Sequence, residues 1–468
     1  MRIYNSLSRQ VEEFVPIRPP KVGMYTCGPT VYSMAHIGNF RTYTLGDLLL
    51  RVLRAGGYEV NYIMNITDVG HLTGDNLGDA DTGEDRMEAA ARRERKSAYD
   101  IARYYTQKFL TDFDKLNLQR PEVMPKATEH IAEQVELVQK LEKNGFAYKI
   151  DDGVYFDTAK FPRYGEMSNL EQILEGARVE INPQKRNARD FALWKFSPTE
   201  VSREMEWDSP WGKGFPGWHI ECSAMSMKYL GESFDIHAGA EDLRSTHHPN
   251  EVAQSEAATR KQFVKYWVHG AFLLVDGGRM SKSQGNNYVL ADLEEKGFSP
   301  MALRYLYLTA HYRSPLNFTW SSLAAAQSAW DKLDQFLKNK NERVALSKEK
   351  EKKLDGYRIR FVSAVNDDLQ TPQALGVMWE MLKSNIPDYD KADTLKDWDS
   401  ILGLKLGQAG EVVVPPEVRE LADKRNELRR RGKFVEADEV RFEMEKMGWK
   451  VEDSALGPKI KKLIDHGL

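Results

Sequence analysis

The chain has 468 residues, 41% hydrophobic and 29% charged, with a formal net charge of −4; that length implies about three domains of ordinary globular composition rather than a fibrous or disordered chain. The charge excludes a globally basic nucleic-acid binder, so a polyanion partner must be held by local patches, and no apolar run approaches the roughly 20 residues of a membrane span. Only two cysteines occur, Cys27 and Cys222, too few for a secreted disulfide scaffold and consistent with a reducing compartment. The first residues show neither a signal-peptide core nor an Arg-rich transit pattern, so a cytoplasmic location is the expectation.

Gly23 to Thr26 reads as a short strand that ends at Cys27-Gly28-Pro29-Thr30. A helix is predicted from about Asn39, with Leu45, Leu48, Leu49, Val52 and Leu53 at helical spacing and Gly56-Gly57 as its stop. Glu59 to Asn65 is the next strand. Two strands joined by one helix argue for a parallel pair, with ligands beyond the strands' carboxyl ends, where Cys27 and Thr67-Asp68 fall. A Gly- and Asp-rich stretch from about Gly70 to Glu84 leads into one charged helix running to Lys115. Residues 120–212 read as an insertion, with a helix from His130 to Asn144 and strand signals from Tyr148 to Phe156. Residues 213–300 return to strand–helix alternation, the sequence beyond Ser321 is helical to about Leu402, and Pro415-Pro416 opens a small C-terminal unit. There are no internal repeats.

Four segments bear on chemistry. His36-Ile37-Gly38-Asn39 precedes the first helix, whose N-terminus offers free N–H groups and a positive dipole end to a phosphate; taken alone it reads more readily as a turn with a capping asparagine. Arg279-Met280-Ser281-Lys282-Ser283 follows an apolar strand on a glycine-rich turn and suits a clamp over a leaving pyrophosphate, or a solvated basic loop. Cys27, Cys222, His247 and Glu251 are candidate metal ligands. His247 and Glu251, four apart, share one helix face; His248 is expected to point elsewhere. The spacing alone leaves open that both cysteines are inert core residues. Lys424 to Lys433 holds Arg425, Arg429, Arg430, Arg431 and Lys433 against one acid, Glu427, a patch able to neutralise phosphates.

His36-Ile37-Gly38-Asn39 and Arg279-Met280-Ser281-Lys282-Ser283 resemble the paired signatures of class I aminoacyl-tRNA synthetases, with Asn39 and Arg279 as substitutions. Cys27-Gly28-Pro29-Thr30-Val31-Tyr32, Gly217-Trp218-His219-Ile220-Glu221-Cys222-Ser223 and His247-His248-Pro249-Asn250-Glu251 resemble the zinc segments of cysteinyl-tRNA synthetases. The resemblance implies a Rossmann-like α/β catalytic domain with a parallel sheet (1–119 and 213–320), interrupted by the 120–212 insertion. A helical tRNA-stem bundle (321–405), opened by Met301-Ala302-Leu303-Arg304, and a small anticodon-binding domain (406–468) would follow. It implies activation of L-cysteine with ATP and transfer to tRNA(Cys), one zinc ion per chain held by Cys27, Cys222, His247 and Glu251, and magnesium arriving with ATP. His36, Asn39 and Lys282 would be catalytic. Gly38, Gly239, Asp242, Arg279 and Lys282 would meet ATP, Thr67 and Trp218 would border the amino acid, and a monomer is expected. Zinc's preference for soft sulfur would separate cysteine from serine.

Two alternatives share these segments. One is the ligase that joins cysteine to an amino sugar in mycothiol synthesis, against which residues 406–468 argue. The other is a non-catalytic tRNA-binding homologue, against which Lys282, Gly38 and the four candidate ligands argue. The clearest departure from the family follows Asn65-Ile66-Thr67-Asp68, where Val69-Gly70-His71 and a Gly/Asp-rich segment replace an acidic pair and a lysine. Gly74 to Gly83 is expected to face solvent, while His71, nearer the strand, helps position the site.

Overall fold

The computed structural model describes residues 1–72, 84–168, 182–198, 203–280, 285–339, 342–408, 415–454 and 457–462. Its centre is a four-stranded parallel sheet. β1 (Lys21–Thr26) leads through α1 (Ile37–Ala55) to β2 (Glu59–Met64), which pairs with it from Lys21↔Glu59 to Thr26↔Met64. α1 begins two residues before the predicted Asn39 because His36, not a residue nearer the apolar run, is its N-cap. The predicted single charged helix is instead α2 (Arg86–Glu94) and α3 (Ala98–Lys115). Arg95 turns into the left-handed region (φ 55°), and Ser97 accepts the Asp100 N–H at 3.0 Å to start the second helix. Neither glycine nor proline marks that break, and the serine cap is its one local signal.

The sheet is completed after the insertion by α4 (Trp218–Leu230), β3 (Phe234–Ala240), α5 (His247–Thr259) and β4 (Val264–Gly270). Strand order is β4-β3-β1-β2, so β1 and β3, the strands that carry Cys27 and lead to His247, lie side by side. α4 and α5 are buried around nearly their whole circumference, because the sheet lies on one side and the insertion on the other. The insertion packs its helix Ile131–Lys143 on an antiparallel sheet of Ala147–Ile150, Gly153–Phe156, Phe191–Phe196 and Gly214–Pro216. Its core contains Leu137, Leu141, Val154, Phe156, Leu193 and Trp194. The last of these strands lies wholly beyond residue 212.

Four helices follow, Trp320–Lys338, Lys348–Asn366, Thr371–Lys383 and Asp388–Leu402. Arg304, on the helix Pro300–Leu308, ties them to the sheet. Fully buried, it donates to Leu402 O at 2.8 Å, Leu116 O at 3.1 Å and Asp47 Oδ2 at 2.5 Å, joining α1, the end of α3 and the last of the four helices. A small C-terminal unit of two helices, Pro416–Arg430 and Phe434–Lys446, and a hairpin (Trp449–Ser454 with Gly457–Lys462) has its own core around Val418, Met444 and Trp449.

Candidate active site and metal centre

The site lies beyond the carboxyl ends of β1 and β3. Cys27 directly follows β1, and Cys222 comes one turn into α4 from Trp218. His247 and Glu251 are on the first two turns of α5, and all four are buried. Their ligand atoms lie within 4.8 Å of one another. The two sulfurs are 3.9 Å apart, Cys27 Sγ is 3.8 Å from Glu251 Oε1, and His247 Nε2 is 3.1 Å from the same oxygen. A tetrahedron with metal–sulfur bonds of about 2.3 Å has edges of about 3.8 Å, so the donor set has both the chemistry and the spacing for zinc.

The electrostatics fit the same use. Burial pushes the Cys27 thiol up, while the hydrogen bond from Cys27 brings the Cys222 thiol down to about 7. Burial opposes charge on Glu251, but the imidazoles of His237 and His247 outweigh it and hold the carboxyl at about 2. Second partners orient the ligands: His237 Nε2 is 3.0 Å from Glu251 Oε2, and His219 Nδ1 is 2.9 Å from His247 Nδ1. Such outer contacts fix the tautomer and the ring plane of a metal-binding histidine.

His248 does not point elsewhere as expected. Its Nε2 is 3.5 Å from Cys27 Sγ and 3.9 Å from Glu251 Oε1, and with Cys27, His237 and Glu251 it forms a second close group. One residue's step on a helix turns a side chain by about 100°, which takes it to solvent only where that side is wet. Here the far side is β3 and β4, and His248 Nδ1 meets His269 Nε2 at 2.7 Å, whose Nδ1 meets Ser6 Oγ at 2.8 Å. Gly239 belongs to this packing: a Cβ there would be 2.7 Å from the His248 ring. The cleft above is lined by neighbouring Ala240 and Asp242.

That cleft, of about 640 Å³, is lined by Cys27, His36, Asn39, Trp218, Asp242 and Met280 among others. His36 and Asn39 form a reciprocal cap on α1: Asn39 N donates to His36 Nδ1 at 3.2 Å and His36 N to Asn39 Oδ1 at 3.0 Å. The capping reading of this segment is therefore realised, on a helix end that also lines the cleft. Gly38 brings the two signature segments into contact, since a Cβ on it would lie 2.2 Å from Met280 Cε. Arg279 lies on a short strand with its guanidinium 5.0 Å from the Phe272 ring. Lys282 and Gly74 to Gly83 lie outside the described residues.

Trp218 packs on His247 with ring centroids 4.4 Å apart. Thr67 is buried, and its hydroxyl donates to Glu221 Oε2 at 3.0 Å and accepts from Asn65 Nδ2 at 2.9 Å; Asn65 Oδ1 in turn takes the Gly28 N–H at 2.8 Å. The other Glu221 oxygen is 2.6 Å from His71 Nε2. A polar chain thus runs from beside Cys27 to His71 through the helix that carries Trp218 and Cys222. The sequence reading missed Glu221, His219, His237 and His269 in these roles; a histidine inside the apolar strand Phe234–Ala240 was the available signal for His237. In the C-terminal patch Arg425 is 3% exposed, turned into its own small domain by helical periodicity, and so is withdrawn from contact with a polyanion. Arg430, Arg431 and Lys433 are exposed and Arg429 is partly so.

The family model of the class I (C) tRNA synthetase catalytic domain matches residues 13–328. The chain is 47% identical to a Burkholderia lata protein named cysteine--tRNA ligase 1, over 98% of this chain and 96% of that protein. It is 42% identical to the Treponema denticola cysteine--tRNA ligase, over 99% and 100% respectively. In fold it resembles Mycobacterium tuberculosis methionyl-tRNA synthetase, with a TM-score of 0.57 at 13% identity, over 84% of this chain and 86% of that one. The chain belongs to the cysteine--tRNA ligases, within the class I tRNA synthetases.

Proposed function

We propose that the protein activates L-cysteine with ATP and transfers it to tRNA(Cys), using zinc held by Cys27, Cys222, His247 and Glu251 to select the substrate's sulfur. The observation that carries this reading is the buried two-sulfur, imidazole and carboxylate cluster whose Cys27 lines the same cleft as the N-terminus of α1. Zinc bound there supplies a soft Lewis acid that favours a thiolate over a hydroxyl.

The chain's own groups do the rest. Trp218 walls the pocket beside His247 and limits what accompanies the sulfur. The α1 N-terminus, with His36 and Asn39 fixed by their mutual cap, faces the phosphates of ATP, which carries magnesium. Asp242, which lines the cleft, would meet the ribose, and Lys282 with Arg279 would follow the charge onto the leaving pyrophosphate. The cysteine carboxylate oxygen attacks the α-phosphorus and pyrophosphate departs. A ribose hydroxyl at the tRNA end then attacks the carbonyl carbon and AMP departs. No side chain need form a covalent bond. ATP and tRNA make the cytoplasm the working compartment. The near-complete coverage of the relatives, C-terminal unit included, favours this reading over an amino-sugar ligase.

The test is ATP–pyrophosphate exchange with cysteine and with serine, alongside metal analysis. Exchange with cysteine at least ten-thousand-fold above serine in kcat/KM, a difference of about 5.5 kcal/mol, with about one zinc per chain, is expected. Equal activity with serine would overturn the reading.

A further inference from the structure

The cleft has a second charged wall that none of the roles above uses. α2 lines it with Arg86, Ala89 and Arg93, the i, i+3 and i+7 positions of one helical face. Ala89 keeps the surface between the two guanidinium groups low. Tyr32 lines the same cleft, with Arg86 5.6 Å from its ring centroid. The wall is braced by the insertion: Asp85 pairs with Arg203, and Glu204 N donates to Glu88 Oε1 at 3.0 Å. Asp85 also caps α2, accepting from Met87 N at 2.7 Å and Glu88 N at 3.0 Å. The positive feature facing the cleft is therefore the pair of side chains, not the helix end.

We propose that this face of α2 binds the backbone phosphates of the single-stranded 3′ end of tRNA as it enters the cleft, with a base stacking on the Tyr32 ring beside Arg86. The inference rests on the function proposed above, which requires that end to reach the adenylate. Three observations favour a strand over the triphosphate of ATP. Seven residues separate the arginines, about 10.5 Å along the helix axis, a span suited to phosphates of successive nucleotides rather than to phosphates sharing bridging oxygens. The N-terminus of α1, to which the triphosphate is assigned above, lines the same cleft with no carboxylate in its cap. An aromatic ring beside an arginine is the pairing that holds unstacked nucleotides without reading their sequence. Arg93 meets its neighbour Glu94 at 2.9 Å across an exposed contact, which is worth little and yields readily to a phosphate.

The test uses the full chain carrying Arg86→Ala and Arg93→Ala together. Two rates are compared: cysteine-dependent ATP–pyrophosphate exchange without tRNA, and single-turnover transfer from preformed adenylate to a tRNA(Cys) transcript at sub-saturating concentration across a potassium chloride series. Transfer is expected to fall at least tenfold further than exchange. The log–log salt slope for tRNA should become shallower by about 1.4, two single-strand phosphate contacts at about 0.7 each. Lysine at both positions, which keeps the charge, should restore most of the transfer rate. Equal losses in the two assays, an unchanged salt slope, or failure of the lysine variant to recover would overturn the inference. Should the double variant not fold, Arg93→Gln at its exposed position carries the same comparison with a slope change of about 0.7. A wild-type chain without cysteine-dependent exchange would sink the proposed function itself. Normal wild-type exchange with an unaltered transfer-to-exchange ratio in the variants would sink only the role of α2.

Discussion

His71→Ala tests whether the departure from the family pattern after Asp68 is part of the site. Glu221 is fully buried, with one oxygen accepting from Thr67 at 3.0 Å and the other 2.6 Å from His71 Nε2. Removing the imidazole leaves that second oxygen facing a void, and breaking a buried pair costs about 3–5 kcal/mol. Glu221 is on the first turn of α4, after Trp218 and directly before Cys222, so any relaxation of its carboxylate moves the cleft wall and a proposed metal ligand together. If a third of the cost, about 1.4 kcal/mol, reaches the amino-acid pocket, KM for cysteine rises about tenfold. KM for ATP should stay within about twofold, since the α1 cap is formed by His36 and Asn39 with Ile37 N bound to Tyr288 O, none of which is Glu221 or its partners. The assay is ATP–pyrophosphate exchange with each substrate varied, with circular dichroism confirming the fold. In a Glu221→Ala background the same substitution should cost much less, because the carboxylate it strands is already gone. Deleting Gly74 to Gly83 should disturb exchange less than His71→Ala does. An unchanged KM for cysteine, or a deletion that proves more damaging in two folded variants, would refute the reasoning.

Cys222→Ser should lose zinc and cysteine activation together, whereas Lys282→Ala should keep zinc and slow exchange at least tenfold, about 1.4 kcal/mol of transition-state stabilisation; metal content and exchange rates separate the two, and an active zinc-free variant would refute the first. Asp112, buried on α3 with burial raising its carboxyl to about 6, ionises in the folded chain well above its unfolded value of about 3.9. Its contribution to stability is therefore full below pH 4 and lost as pH rises through 6. Asp112→Asn should stabilise by up to about 3 kcal/mol at pH 8 and by almost nothing at pH 4, read from urea midpoints; an equal effect at both pH values would contradict the sign. Truncation after Gln408 should spare cysteine activation and raise the tRNA concentration needed for charging. The cut belongs there because the N–H groups of Leu406 and Gly407 are still bound by Asp399 and Asp334 at 2.9 and 2.8 Å; an unaltered tRNA requirement would remove the C-terminal unit from recognition.

What could be read from the chain alone, and what could not, divides by the range of the interaction. The α1 periodicity and the His247–Glu251 spacing depend on residues a turn or so apart, and both appear as expected. The polar surroundings of the metal centre depend on strand order. His237 reaches Glu251, and His269 reaches His248, only because β3 lies between β1 and β4, an arrangement that no local spacing encodes. The rule that places i and i+1 on different faces misled for His248 because it assumes one wet face, and α5 has none. Glycine is ambiguous in the same way. Gly38 and Gly239 were expected only to meet ATP, and the close neighbours that require glycine there were not legible: Met280 in one case and the His248 ring in the other. Arg425 shows the limit for charge runs, because a cluster counted along the sequence ignores which face of the helix each residue takes; at 3% exposure it is enclosed, while Arg430 and Arg431 remain outside. The Glu221 chain combines these difficulties. Its members come from β1's end, β2's end and α4, each is unremarkable beside its sequence neighbours, and only their meeting at 2.6–3.0 Å links the loop of one candidate ligand to the helix of another.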